Sequence, residues 1–322
     1  SVRGEFLSKH FARAFDLFAE VLLEPAFPEG EVQRERAVQL QAIASRDDKP
    51  STVAFEQLAR TMYQVHPYRL PMLGERATVE ALNPDRLRAF HARHVDPAGM
   101  VLGVVGDVDA DEVVKRARAA FSGAGRGGAR LEVPQEPPWK GRREAKHTLK
   151  KAQTHLVLGF PGARVTDRWR RALDVVSTVL SGQSGRLFLE LRDKLSLAYS
   201  VSSMSVEGID PGYFAVYMGT SPEKVETALA GMRRELQRLR EEDVSEAELS
   251  RAREHLIGVH EIGLQRNGAR AATMALDALY GLGAEAYLRY AEEVSQVDAR
   301  AVREVAERVL DFETSALSVV GP

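Results

Sequence analysis

Arg192 and Tyr199 are the residues whose types most directly suggest chemistry. Arginine is permanently charged and carries several N–H donors in a fixed fork, while tyrosine adds a neutral hydroxyl donor. If they converged on one oxygen, they would suit a peptide carbonyl or the oxyanion that develops from it. Neither could serve alone as nucleophile or base near neutral pH. On the bare residues another reading stays open, in which Arg192 is salt-bridged at a helix C-terminus and Tyr199 lies at the rim of a core.

The elements that would position this pair can be read from the flanking pattern. Ser181-Gly182-Gln183-Ser184-Gly185 reads as a flexible loop or a turn between helices. Leu187, Phe188 and Leu191 follow at helical spacing, and from Leu197 to Val201 the apolar period drops to two. Arg192 therefore falls at a helix end and Tyr199 on the strand that follows.

The eight histidines offer no metal pair: none is separated from another by four residues, and His260-Glu261 starts a reversed zinc motif that fails at Leu264. His91 and His94 share a helix face without a glutamate beside them and are expected to be surface residues. The absence of cysteine excludes disulfides, thiolate metal sites and cysteine nucleophiles, and leaves the compartment, cytoplasmic or periplasmic, open. With 44 basic against 46 acidic residues, nothing advertises nucleic acid or an anionic membrane. No apolar run reaches the eighteen or so residues of a membrane span. Lys140, Arg142, Arg143, Lys146, Lys150 and Lys151 are expected to decorate a solvated linker and edge strand.

At 322 residues the chain favours two domains, and a repeat supports that division. Arg93-His94-Val95-Asp96 with Val101 to Gly106 matches Arg308-Val309-Leu310-Asp311 with Ala316 to Gly321. Phe27 to Arg36 matches Val244 to Arg253 in nearly the same register. Each pair predicts a helix start at Pro28 or Ser245 and a buried strand at Val101 to Gly106 or Ala316 to Gly321. The register places Ser1 opposite Met218, so the first copy lacks a counterpart of 142–217. Glycine-rich Ser122 to Gly128 and proline-rich Pro134 to Trp139 mark the linker. The expected domains are 1–121, a linker at 122–141, and 142–322.

Ser184-Gly185-Arg186-Leu187-Phe188, Leu191-Arg192, Leu197-Ala198-Tyr199-Ser200-Val201 and Asp210-Pro211-Gly212-Tyr213-Phe214 resemble the carboxy-terminal domain of the pitrilysin/insulinase-type zinc peptidases, which include the mitochondrial processing peptidase and paired bacterial relatives. Gln153 to Leu156, Gly159 to Gly162 and Phe27 to Pro50 extend the resemblance over nearly the whole chain. It implies an α+β fold of two homologous domains, each a mostly antiparallel sheet with helices on one face, the first lacking its N-terminal strands. It also implies that Arg192 and Tyr199 reach a partner's active site, and that Ser181, Gly182, Gln183, Ser184 and Gly185 lie near incoming substrate.

The sequence departs from the family where the metal should be. The family's His-x-x-Glu-His is absent, and the third ligand, a glutamate seven residues after the one matching Glu35, is replaced by Ala42. The expectation is a chain with no cofactor of its own, inactive alone, pairing with a zinc-bearing homologous subunit to bind and cleave peptide or unfolded polypeptide. A purely structural subunit, or a fragment of a complete zinc peptidase, are the competing expectations.

Overall fold

The computed structural model describes residues 1–122 and 132–322. Gly123 to Gly128 of the expected linker lie outside the described residues. The helices α1 (Phe11–Leu23), α2 (Glu29–Asp47), α3 (Pro50–Met62), α4 (Arg76–Glu80), α5 (Pro84–His94) and α6 (Ala110–Phe121) come first. There follow β1 (Arg143–Thr148), β2 (Thr154–Pro161), α7 (Arg170–Leu180), a π-helix at Phe188–Lys194, β3 (Ser200–Val206) and β4 (Tyr213–Thr220). The chain continues with α8 (Val225–Glu241), α9 (Glu246–Gly263), α10 (Asn267–Leu279), α11 (Tyr290–Ser295), α12 (Ala299–Val309) and β5 (Ala316–Gly321).

The residues group into two compact units, one of Ser1–Ile43, Leu73–Glu132 and Glu261–Leu288, the other of Ala44–Met72, Val133–His260 and Arg289–Pro322. The second unit is α+β, built on one five-stranded sheet of order β1-β5-β2-β4-β3 in which only β1 and β5 run parallel. β2 is almost continuously apolar because both of its faces are covered. Leu156, Leu158 and Phe160 join Phe214, Val216 and Met218 of β4 under α7, α8, α9 and α12. On the other face α3 lays Ala54, Leu58 and Met62 against Val157, Ala215 and Val320. Gly159 seats that helix, since a Cβ there would stand 2.8 Å from Leu58 Cδ1. The linker is tied to the end of α3, where the Glu136 carboxylate accepts from the backbone N–H groups of Gln64, Val65 and His66 at 2.6, 3.0 and 2.9 Å.

The first unit is helical among its described residues. Arg36 donates to the Leu82 carbonyl at 2.9 Å, and His91 Nε2 lies 2.8 Å from the Leu22 carbonyl oxygen. One expectation needs correcting here. Val101 to Gly106 does not form the buried strand that its repeat partner forms as β5: residues 101–105 belong to no strand, and Val101 and Leu102 are 42% and 40% exposed. β5 is a strand because β1 and β2 satisfy both its edges, whereas Val101 to Gly106 has no ladder partner among the described residues. No helix of the described residues is long and apolar enough to cross a membrane.

Candidate functional site

The segment 180–200 is fixed to the second unit at four places. α7 buries Leu173, Val176 and Leu180 in the core and ends at Ser181, whose N–H donates to the Ser177 carbonyl at 3.0 Å. The Ser181 hydroxyl accepts from Ser203 N–H at 2.6 Å and donates to the Ser203 carbonyl at 3.1 Å. β3 is an outer strand of the sheet, so Ser181 occupies the edge donor and acceptor of Ser203 that an added strand would need. Gly182 sits at φ +81, and Gly185 is packed so closely on the carbonyls of Leu180 and Ser181 that no side chain fits.

Arg186 is the second tether. It is 8% exposed and grips Glu248 at the start of α9 through two hydrogen bonds of 2.7 and 3.0 Å. Ser245 and Glu248 form a reciprocal cap, with Glu248 accepting from Ser245 N–H at 3.0 Å and from its hydroxyl at 2.8 Å. The Arg186 hydrogen bonds outweigh burial and, with Ser245, hold the Glu248 carboxyl down at about 2.

The π-helix then carries Arg192. Leu187 and Leu191 are fully buried, and the guanidinium of Arg192 lies 4.7 Å from the centre of the Phe188 ring. Arg192 is exposed and has no ion-pair partner among the described residues. π-helical turns are rare and often mark functional segments. The chain reverses through Ser196, held at φ +50, with Leu197 N–H donating to Leu191 O at 2.8 Å and Thr220 Oγ1 to Leu197 O at 2.6 Å. A serine in the left-handed region costs conformational energy, and these bonds hold it there. Tyr199 precedes β3, donates its N–H to Gly219 O at 3.0 Å, and leaves its side chain 67% exposed with no hydroxyl partner among the described residues.

The structure thus presents Arg192 and Tyr199 on either side of one hydrogen-bonded turn, both open to solvent and joined by no hydrogen bond. Ser181, Gly182, Gln183 and Ser184 line a cleft of ≈ 880 Å³ shared with Glu248, Arg251, Glu254 and His255 of α9. Neither Arg192 nor Tyr199 lines it, and Gly185 is buried behind it. Sequence reasoning missed Glu248, although Ser245-x-x-Glu248 carries the signature of a capping box. It also missed Arg251 and His255, for which no local signal exists.

A half-buried ionic cluster lies elsewhere in the same unit. Arg171 binds Glu293 at 3.0 Å and Asp174 at 3.2 Å and approaches Glu207 at 3.5 Å, with its guanidinium over the Tyr290 ring. Burial, then the neighbouring Asp174 charge, push the Glu207 carboxyl up to about 7.

The residues present do not fit zinc. Ala42 is half-buried on α2, a methyl where a carboxylate would be needed. Among the described residues no group of three or more histidine, aspartate or glutamate side chains is arranged to hold a metal ion. His91 is engaged with the Leu22 carbonyl and His94 packs on Phe90.

With that geometry in view, comparison with known proteins gives a consistent family. The profile of the "Peptidase M16 inactive domain" matches residues 81–256, and that of "Insulinase (Peptidase family M16)" matches 3–76. An uncharacterized zinc protease of Streptomyces coelicolor is 35% identical over 328 residues, spanning 96% of this chain and 69% of the relative. One from Rickettsia bellii is 29% identical over 98% of this chain and 76% of its own length. Among solved structures, a peptidase M16 inactive domain from Pseudomonas fluorescens superposes with a TM-score of 0.86 at 22% identity, covering 98% of this chain and 76% of that one. A protease from Helicobacter pylori gives 0.84 at 20% identity, over 98% and 77%; at these identities both support the fold.

Proposed function

The chain belongs to peptidase family M16, and we propose that within it the chain is the subunit that grips peptide while a zinc-bearing homologous partner cuts it. The observation that carries this reading is an exposed, unpaired arginine and an exposed tyrosine hydroxyl held seven positions apart on one locked turn. Phe188 lies against the Arg192 guanidinium, and the Ser196 turn sets the backbone from which Tyr199 projects. Tyr199 would donate to the carbonyl oxygen under attack and Arg192 would hold a neighbouring substrate carbonyl. Once the partner closes over them, donors held at the substrate need no reorganisation as charge develops, which is where their effect on rate would arise. The metal and the general base would belong to the partner, since Ala42 puts a methyl where the family's third ligand, a glutamate, would stand. Ser203 is already capped by Ser181, so peptide would not pair as a strand at the middle of β3.

The test is Tyr199→Phe and Arg192→Ala in this chain, assayed with a zinc-bearing homologous subunit from the same organism. Each should lower peptide hydrolysis by roughly a hundredfold, equivalent to about 3 kcal/mol, with the unfolding transition of the subunit unchanged. Full activity in both variants would refute the assigned roles.

A further inference from the structure

The chemistry of the cleft beside the loop 181–184 can be read from which of its lining groups already have partners. On the α7 wall every hydroxyl is already used inside the fold. Thr178 donates to Asp174 O at 2.9 Å, Ser177 lies 3.3 Å from the Ser203 hydroxyl, and Ser181 brackets Ser203. On the α9 wall the Glu248 charge is cancelled by Arg186, while Glu254 accepts from the Ser250 hydroxyl at 2.8 Å and keeps its charge at the far end of the wall. What lines the cleft without any ion pair or side-chain hydrogen bond among the described residues is Arg251, His255 one helical turn on, and the side chains of Gln183 and Ser184. Three of them are strong donors, and Arg251 brings to the cleft a permanent positive charge that makes no ion pair among the described residues.

We propose that this cleft is a carboxylate subsite for bound peptide. The Arg251 guanidinium takes an acidic group of the substrate in the two-point geometry that arginine offers carboxylates, and Gln183 and Ser184 donate from the loop. The cleft is prepared for this role because both walls are rigid: Arg186–Glu248 ties the loop to α9, and Gly185 is packed on its own backbone. The assignment rests on the peptide-binding reading of the chain and adds to it a substrate preference: peptides with a carboxylate in reach of α9 are favoured over neutral ones.

Calorimetric titration of the full chain with three synthetic peptides of one otherwise uncharged, N-acetylated sequence tests it. The first carries a central Glu and a C-terminal amide, the second a central Gln and a free C-terminus, the third a central Gln and an amide. The first or the second should bind about tenfold tighter than the third, and the one that does identifies the carboxylate as side-chain or terminal. Arg251→Gln should erase that difference, and Arg251→Lys should restore part of it. Equal binding of all three peptides, or a preference that survives Arg251→Gln, overturns the subsite and leaves the peptide-gripping reading intact. Binding of none of the three contradicts that reading as well.

Discussion

Replacing Arg186 by methionine isolates the contact that fixes the substrate loop to α9. The change keeps an apolar stem of similar length and removes both hydrogen bonds to Glu248. A carboxyl held at about 2 instead of the ordinary 4.5 represents roughly 3 kcal/mol of stabilisation when fully realised. The Glu248 side chain is 23% exposed, and Ser245 retains part of the effect, so about 2 kcal/mol is the expected loss. The pH dependence gives the sign. A carboxyl whose folded value lies below its unfolded one contributes fully above pH 4.5 and loses that contribution as pH falls toward 2. Urea unfolding followed by tryptophan fluorescence is the assay, because Trp139 and Trp169 are the two tryptophans and both lie in the second unit. Wild type should lose stability between pH 4.5 and 2, and Arg186→Met should be weaker at pH 6 and flatter over that range. A loss under about 0.5 kcal/mol at pH 6, with the acid slope preserved, would refute the argument that this pair anchors the loop.

Glu207 acts in the opposite sense. Its carboxyl is raised from 4.5 to about 7, so its burden is absent below the unfolded value, grows as pH rises through that window and is complete above it. Glu207→Gln should flatten the alkaline side of the stability profile by on the order of 2 kcal/mol, read by the same unfolding assay between pH 4.5 and 8. Gly185→Ala forces a methyl onto the Leu180 and Ser181 carbonyls and should cost about 1–3 kcal/mol in urea unfolding. Ser181→Ala strips Ser203 of its edge partners and should cost about 1–3 kcal/mol. Hydrogen exchange at the Ser203 amide, read by mass spectrometry, should accelerate; unchanged protection would show that another group covers that edge.

Local pattern made the second unit readable. β2, α7 and β5 announce themselves through apolar runs and periodicity, and the match between Phe27 to Arg36 and Val244 to Arg253 locates the starts of α2 and α9. The same repeat misled at Val101 to Gly106, because a strand is defined by its neighbours and sequence similarity carries no neighbours with it. The π-helix was also invisible, since Leu187 and Leu191 have a spacing that an α-helix satisfies equally. At the site, Arg192 and Tyr199 were singled out by the family resemblance, their types alone leaving a structural reading open, and the structure adds the Ser196 turn between them and the Phe188 ring against Arg192. The Arg186–Glu248 tether joins residues 62 positions apart, and no local signal specifies a contact of that range. The placement of α3 over Gly159 is illegible for the same reason.

The most direct test of the account is peptide hydrolysis and bound zinc measured on this chain alone, and again after mixing with a zinc-bearing homologous subunit from the same organism. The account expects no stoichiometric zinc and no hydrolysis from the isolated chain, and activity on mixing that depends on Arg192 and Tyr199. Stoichiometric zinc with hydrolysis by the chain alone would contradict it.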